Sequence, residues 1–342
     1  MRFNYIQILR FLAATGVLLY HSHYYVGELL WKTPVSRAFD YRFAWGVELF
    51  FAISGFVVSH SLSQTTPGRF LAMRLVRIYP IFWLAAAAVT AARLALGDHP
   101  LTVRLFLALT LMPVGGADYP LGGVEWSLVY EVFFYVLLTV VALVRARNAR
   151  EWAMVLWILA IGATAYFGPI RATSFLPTFA TIAFSAFNLP FIAGVLAYSW
   201  FRRASRLPVL ALLCTVPAAL FAADRAAATE IQLLFQAVGF TALVLLAAEL
   251  SRRNDPAATN PLVKLGDWSY AIYLVHVPVI KAVLVVSPLG PEHAGLVYVA
   301  VVVAGLVVGS AYGMVDTALY RRNKALLRRF WQRSGPVPAA GG

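Results

Sequence analysis

Residues 294–319 read AGLVYVAVVVAGLVVGSAYGMVDTAL, a run almost free of charge. An α-helix needs about 20 predominantly apolar residues to cross a hydrocarbon core about 30 Å thick. This stretch meets that requirement, and nine earlier ones share its character: 6–25, 43–63, 78–97, 122–144, 152–168, 178–200, 207–223, 230–250 and 267–287. The predicted fold is therefore all-α, a polytopic membrane helix bundle of about ten transmembrane helices. Composition agrees: 61% of the 342 residues are hydrophobic and 13% charged, against about 45–50% and about 25% in soluble domains.

Numbering the loops alternately from the N-terminus puts 19 of the 28 basic residues on one side. They are Arg2; Arg69, Arg74 and Arg77; Arg145, Arg147 and Arg150; Arg202, Arg203 and Arg206; Arg252, Arg253 and Lys264; and Arg321, Arg322, Lys324, Arg328, Arg329 and Arg333. The opposite loops are short and nearly neutral. This positive-inside pattern predicts that both termini are cytoplasmic. The +13 net charge is thus topogenic and points to no nucleic-acid partner. Residues 101–112 (LTVRLFLALTLM) are apolar but too short to span; a crossing there would invert every later basic loop.

The organisation predicted is one membrane domain over 1–335 and a disordered Pro/Ala/Gly-rich tail over 336–342. Arg10 interrupts the first span, unlike a cleavable signal peptide, so the N-terminus reads as mature. Cys214 is the single cysteine, which excludes an intrachain disulfide and a cysteine-rich metal site. GxGxxG, Walker A, HExxH and GxSxG patterns are missing, and no metal is expected.

Ionisable side chains at bilayer depth cost about 2.5 kcal/mol or more, so they face a bundle interior or cavity and mark function. Arg10 and His21 are eleven residues apart, about 16 Å of helical rise and only about 20° past three full turns. They occupy one stripe, Arg10 toward the cytoplasm and His21 toward the outside; headgroup snorkelling is the plain alternative. Glu48 opens the second span, one heptad before Gly55, whose size lets helices approach. Glu131 lies well inside the fourth span with Ser127 at i−4 and Tyr135 at i+4. Ser269, Tyr273 and His276 form a polar stripe on the ninth span, and Lys281 follows them. Arg74 and Arg77 project from one helix face beside Tyr79, suited to phosphate oxygens.

These segments together resemble the acyltransferase-3 family of multi-pass membrane acyltransferases. The resemblance rests on IQILRFLAATGVLLYH (6–21), GVELFFAISGF (46–56), RLVRIYPIFW (74–83), WSLVYEVFFY (126–135) and LGDWSYAIYLVHVP (265–278). The opening is most similar to the exopolysaccharide and O-antigen O-acetyltransferase branch. Glu48 stands where Asp is commoner, and Val277 replaces a more usual polar residue.

The resemblance implies transfer of an acyl group, acetyl first of all, from cytoplasmic acetyl-CoA to a glycan or lipid-linked saccharide hydroxyl across the bacterial inner membrane. Polysaccharide-synthesis machinery would be a partner. Arg10, Arg74, Arg77 and Tyr79 would bind the donor. His21 would be general base or acyl relay, with Glu131 or Glu48 orienting it. Ser127, Tyr135, Ser269, Tyr273 or His276 would polarise the carbonyl or contact substrate. The same polar residues would also suit a transporter or flippase for a lipid-linked glycan, and a non-catalytic partner of a polysaccharide synthase is a third reading.

Overall fold

The computed structural model describes residues 2–31, 41–116, 118–144, 148–168 and 175–333. The tail expected to be disordered, 336–342, lies outside them. Among the described residues the chain forms eleven α-helices and no strand. They are α1 Asn4–His23, α2 Gly46–Leu62, α3 Pro67–Ala95, α4 Val103–Leu109, α5 Glu125–Leu143, α6 Ala149–Phe167, α7 Asn188–Arg203, α8 Val209–Arg225, α9 Thr229–Arg253, α10 Pro261–Val286 and α11 Ala294–Arg333. A π-helical segment, Tyr24–Trp31, continues α1 directly after the His21 turn.

Every expected span overlaps one of these helices. Six stretches are long and apolar enough to cross a membrane: Tyr41–Leu62, Pro67–Ala95, Glu125–Leu143, Thr229–Arg253, Pro261–Val286 and Pro291–Gln332. Large apolar side chains such as Trp83, Leu156, Leu159, Phe221 and Val307 point outward, as lipid-facing residues do. The chain is a multi-pass membrane protein.

Three boundaries differ from expectation. Helix α3 begins at Pro67 rather than 78, because proline's fixed φ and missing N–H suit a first helical turn. Arg69, Arg74 and Arg77 therefore stand on the helix and not on a loop before it. Helix α11 continues to Arg333, since residues 320–333 are rich in Arg, Lys, Leu and Ala, all strong helix formers. Residues 178–187 form a turn with a short 3-10 segment, and α7 starts at Asn188. The Asn188 amide holds that turn by donating to the carbonyls of Ile182 (2.7 Å) and Ser185 (2.8 Å).

Glycines set the closest helix crossings. A Cβ on Gly55 would lie 2.1 Å from the Phe191 carbonyl oxygen, and one on Gly194 would lie 2.1 Å from that of Ala52, so α2 and α7 meet backbone to backbone. Gly266 of α10 approaches the Gln7 carbonyl of α1 in the same way. Small residues serve membrane helices like this because packing, not hydrophobic driving force, holds them together. Helices α3 and α11 run antiparallel: Tyr312 donates to the Ile81 carbonyl at 2.6 Å, Asp316 pairs with Arg77, and Trp331 lies under Arg69.

Segment 101–112 does not cross. Its helix α4 has seven residues, capped by Thr102, whose hydroxyl accepts from the Leu105 N–H at 3.1 Å. It docks beside α3 through Tyr79, which donates to the Thr110 carbonyl at 2.6 Å, and Trp83, which donates to the Leu109 carbonyl at 2.9 Å.

Candidate functional site

His21 on α1 and His276 on α10 meet: Nε2 of His276 is 3.0 Å from Nδ1 of His21. His276 is fully buried, and its Nδ1 faces the Tyr273 carbonyl. A carbonyl only accepts, so in the neutral pair Nδ1 of His276 carries the proton and Nε2 is its acceptor. Nδ1 of His21 must then be the donor. It also lies 3.1 Å from the Val17 carbonyl, a second acceptor. With both neutral, this leaves Nε2 of His21 as a bare lone pair.

On the other side of Tyr273 lies a cavity of about 80 Å³. Arg10, Arg74, Arg77, Glu131, Tyr135 and Tyr273 are among its lining residues, with Ser127 beside them. Tyr273 joins cavity and histidines: its hydroxyl is 2.8 Å from Ser127 Oγ, both hydroxyls are 3.1 Å from the Val124 carbonyl, and its ring centroid is 5.6 Å from that of His276.

The three arginines are held differently. Arg77 pairs with the buried Asp316 and lies over the rings of Tyr270 and Tyr320. Arg74 donates to Ser61 and covers Phe70 and Tyr135. Nε of Arg10 has no hydrogen-bond partner among the described residues. Glu131 accepts from the Tyr135 hydroxyl, with Ser54 Oγ 3.5 Å away. Three guanidinium groups and one carboxylate thus line the cavity, with the charge of Arg77 already met by Asp316.

Some expected residues stand apart. Tyr79 is not in the cavity: it comes two residues after Arg77, about 200° round the helix, and is engaged with α4. No carboxylate reaches His21 among its described contacts; Glu131 serves Tyr135. Glu48 is buried, its Oε2 without a hydrogen-bond partner among the described residues, next to Val47, which does line the cavity. Ser269 is fully buried and its Oγ has no partner among the described residues.

Two residues were missed. Asp316 is 1% exposed and anchors Arg77; its signal was its position as the one charged residue in 294–319. Glu125 is fully buried and accepts from the Leu121 N–H (2.6 Å) and the Gly123 N–H (3.1 Å). It thereby shapes the turn in which Gly122 has φ +88° and presses on Val277, where a Cβ would come within 2.4 Å of a methyl carbon. That turn braces α10 one residue after His276. The two glycines before an acid at a helix start, LGGVE, were the available cue.

A membrane helix bundle that gathers three arginines around one cavity and a histidine pair nearby presents polar side chains at bilayer depth. Residues 3–314 match the acyltransferase-3 family, described as an acyltransferase domain, and the chain belongs to that family. Over 302 residues it is 30% identical to Exopolysaccharide production protein ExoZ of Rhizobium meliloti (strain 1021), covering 82% of this chain and 90% of that protein. Over 318 residues it is 28% identical to Nodulation protein 10 of Rhizobium leguminosarum bv. viciae, covering 84% and 85%. No solved structure matches the chain.

Proposed function

We propose that this acyltransferase moves an acetyl group from cytoplasmic acetyl-CoA to a hydroxyl of an exported or lipid-linked glycan. The observation that carries the reading is the run of polar side chains from the arginine cavity to Tyr273, whose ring abuts His276, and on to the His276–His21 pair. Membership of an acyltransferase family supports the reaction class, and similarity to an exopolysaccharide production protein supports a glycan acceptor. The proposal includes ten crossings, cytoplasmic termini and residence in the bacterial inner membrane, supported by the one-sided basic loops. Polysaccharide-synthesis machinery is the partner this acceptor implies.

Nε2 of His21 takes the proton from the acceptor hydroxyl as its oxygen attacks the thioester carbonyl carbon. The carbon–sulfur bond breaks, the acyl group passes to oxygen, and the sulfur leaves as a thiolate that receives the proton back from His21. His276 holds the imidazole in the tautomer with Nε2 free, a positioning role first expected of Glu131 or Glu48. Ser127 and Tyr273 are hydroxyl donors available to the carbonyl oxygen. Arg10 and Arg74 supply positive charge for donor phosphates.

The test uses protein in nanodiscs, wild type beside His21→Ala, with labelled acetyl-CoA and a crude glycan acceptor. Wild type should release CoA and label the glycan, and the variant should lose about 10²–10⁴-fold in rate. If wild type neither turns over nor binds acetyl-CoA, the reading fails and transport of a lipid-linked glycan replaces it.

A further inference from the structure

A second cavity, about 520 Å³, opens between the start of α3 and the end of α11. Its walls carry Arg69 and Arg74 from α3 and Tyr320, Lys324, Arg328 and Trp331 from α11. The α11 residues are spaced i, i+4, i+8 and i+11, so one helix face presents them all. No aspartate or glutamate is among the lining residues. Asp316, one turn deeper on the same face, is already paired with Arg77.

Four cations in one concavity with no acid repel one another, an arrangement that an anionic ligand relieves. The aromatic groups are placed among them: Arg69 lies 5.2 Å over the Trp331 ring and Lys324 lies 5.8 Å over that of Tyr320. Guanidinium forks with an indole and a phenol suit phosphate esters attached to a flat base better than a bare inorganic anion.

This cradle also adjoins the arginine cavity. Arg74 lines both, and it covers Phe70, a wall of the cradle, and Tyr135, a wall of the inner cavity. From Arg69 to Arg77 is about 12 Å of helical rise, so an elongated anion entering at Trp331 would meet basic groups all the way inward.

We propose that the α3–α11 cradle holds the phosphorylated nucleotide end of the acyl donor, its 3′-phosphate on Arg328, Lys324 and Arg69 and its base against Trp331, while the thioester end passes Arg74 into the inner cavity. The inference rests on the acyl-CoA reading above and adds a subsite to it. It gives the helical overhang past residue 319 a ligand.

The experiment compares acetyl-CoA with its 3′-dephospho analogue on full-length protein in nanodiscs. Wild type should favour acetyl-CoA by about tenfold in KM, the scale of one charge-assisted phosphate contact. In Arg328→Ala and in Lys324→Ala that ratio should fall to within about twofold, whereas Arg328→Lys, which keeps the charge, should retain most of it. A ratio taken within one preparation is insensitive to the fraction of correctly folded protein. If wild type discriminates and Arg69→Ala, Lys324→Ala and Arg328→Ala all preserve the ratio, the cradle assignment is wrong and the donor reading stands. Absence of acetyl-CoA binding by wild type overturns both. A lipid phosphate as occupant is distinguished by melting in neutral discs and in discs containing phosphatidylglycerol. Stabilisation by the anionic lipid that Arg328→Ala abolishes, with the nucleotide ratio unchanged, also overturns the proposal.

Discussion

Nε2 of His276 and Nδ1 of His21 are 3.0 Å apart although 255 residues of chain separate them. The contact fixes a proton between two rings and leaves the outer nitrogen of His21 bare. If it serves catalysis, His276→Ala should lower kcat by about 10²-fold, the scale of a misplaced catalytic group. The KM for the donor should stay within about twofold, because the arginines are untouched. His276→Gln should recover part of the loss, since its amide oxygen can accept from Nδ1–H. Equal losses in both variants, or a loss confined to KM, would refute the positioning role.

Asp316 is the buried counter-charge of Arg77. Removing one partner of a buried pair typically costs about 3–5 kcal/mol because the other charge is stranded. Asp316→Ala should therefore melt well below wild type in detergent. Arg77→Met combined with Asp316→Leu should recover most of the stability and still show a raised donor KM. An unchanged melting temperature in Asp316→Ala would mean that Arg77 is not held this way.

At the α2–α7 crossing, Gly194→Ala places a methyl 2.1 Å from the Ala52 oxygen and must push the helices apart. Overpacking of this kind costs about 1–3 kcal/mol. Gly162→Ala on α6 meets nothing within 4 Å and serves as the control, neutral or slightly stabilising. Similar melting curves for the two variants would rule out the close crossing.

Ser127 and Tyr273 share the Val124 carbonyl. A double-mutant cycle of Ser127→Ala and Tyr273→Phe should give a stability coupling of about 0.6–1.7 kcal/mol, as interhelical hydrogen bonds in membranes do. Strict additivity would show that the two hydroxyls act independently.

Much of this architecture was legible in the chain, because hydropathy reports what lipid requires of a helix. The intervals predicted for α2 and α5 lie within a few residues of the helices, and segment 101–112 was rightly kept from crossing. Hydropathy marks the slice inside the hydrocarbon and is blind to helix beyond it. Hence the charged end of α11 and the first turns of α3 were left out, and with them the second cavity. At the site, helix-face spacing grouped Ser127, Glu131 and Tyr135, but Glu131 was assigned to His21, whereas the structure puts that trio in one cavity with Arg10, Arg74 and Arg77. Grouping by sequence adjacency misplaced Tyr79. The partner of His21 was beyond reach because depth and face on α1 do not say which helix lies opposite. The packing of α10 along α1, closest where Gly266 meets the Gln7 carbonyl, decides it.

That seating has a consequence for biosynthesis. Helix α1 is made before α10, which follows after more than 230 further residues, an interval of roughly 10–50 s at ordinary translation rates. For that time Arg10 and His21 lie in a nascent helix whose companion does not yet exist, and the insertion machinery or water must keep them company. The His21–His276 contact closes only once α10 has been made. A chain cut short before residue 261 would leave both side chains permanently without the helix that completes them.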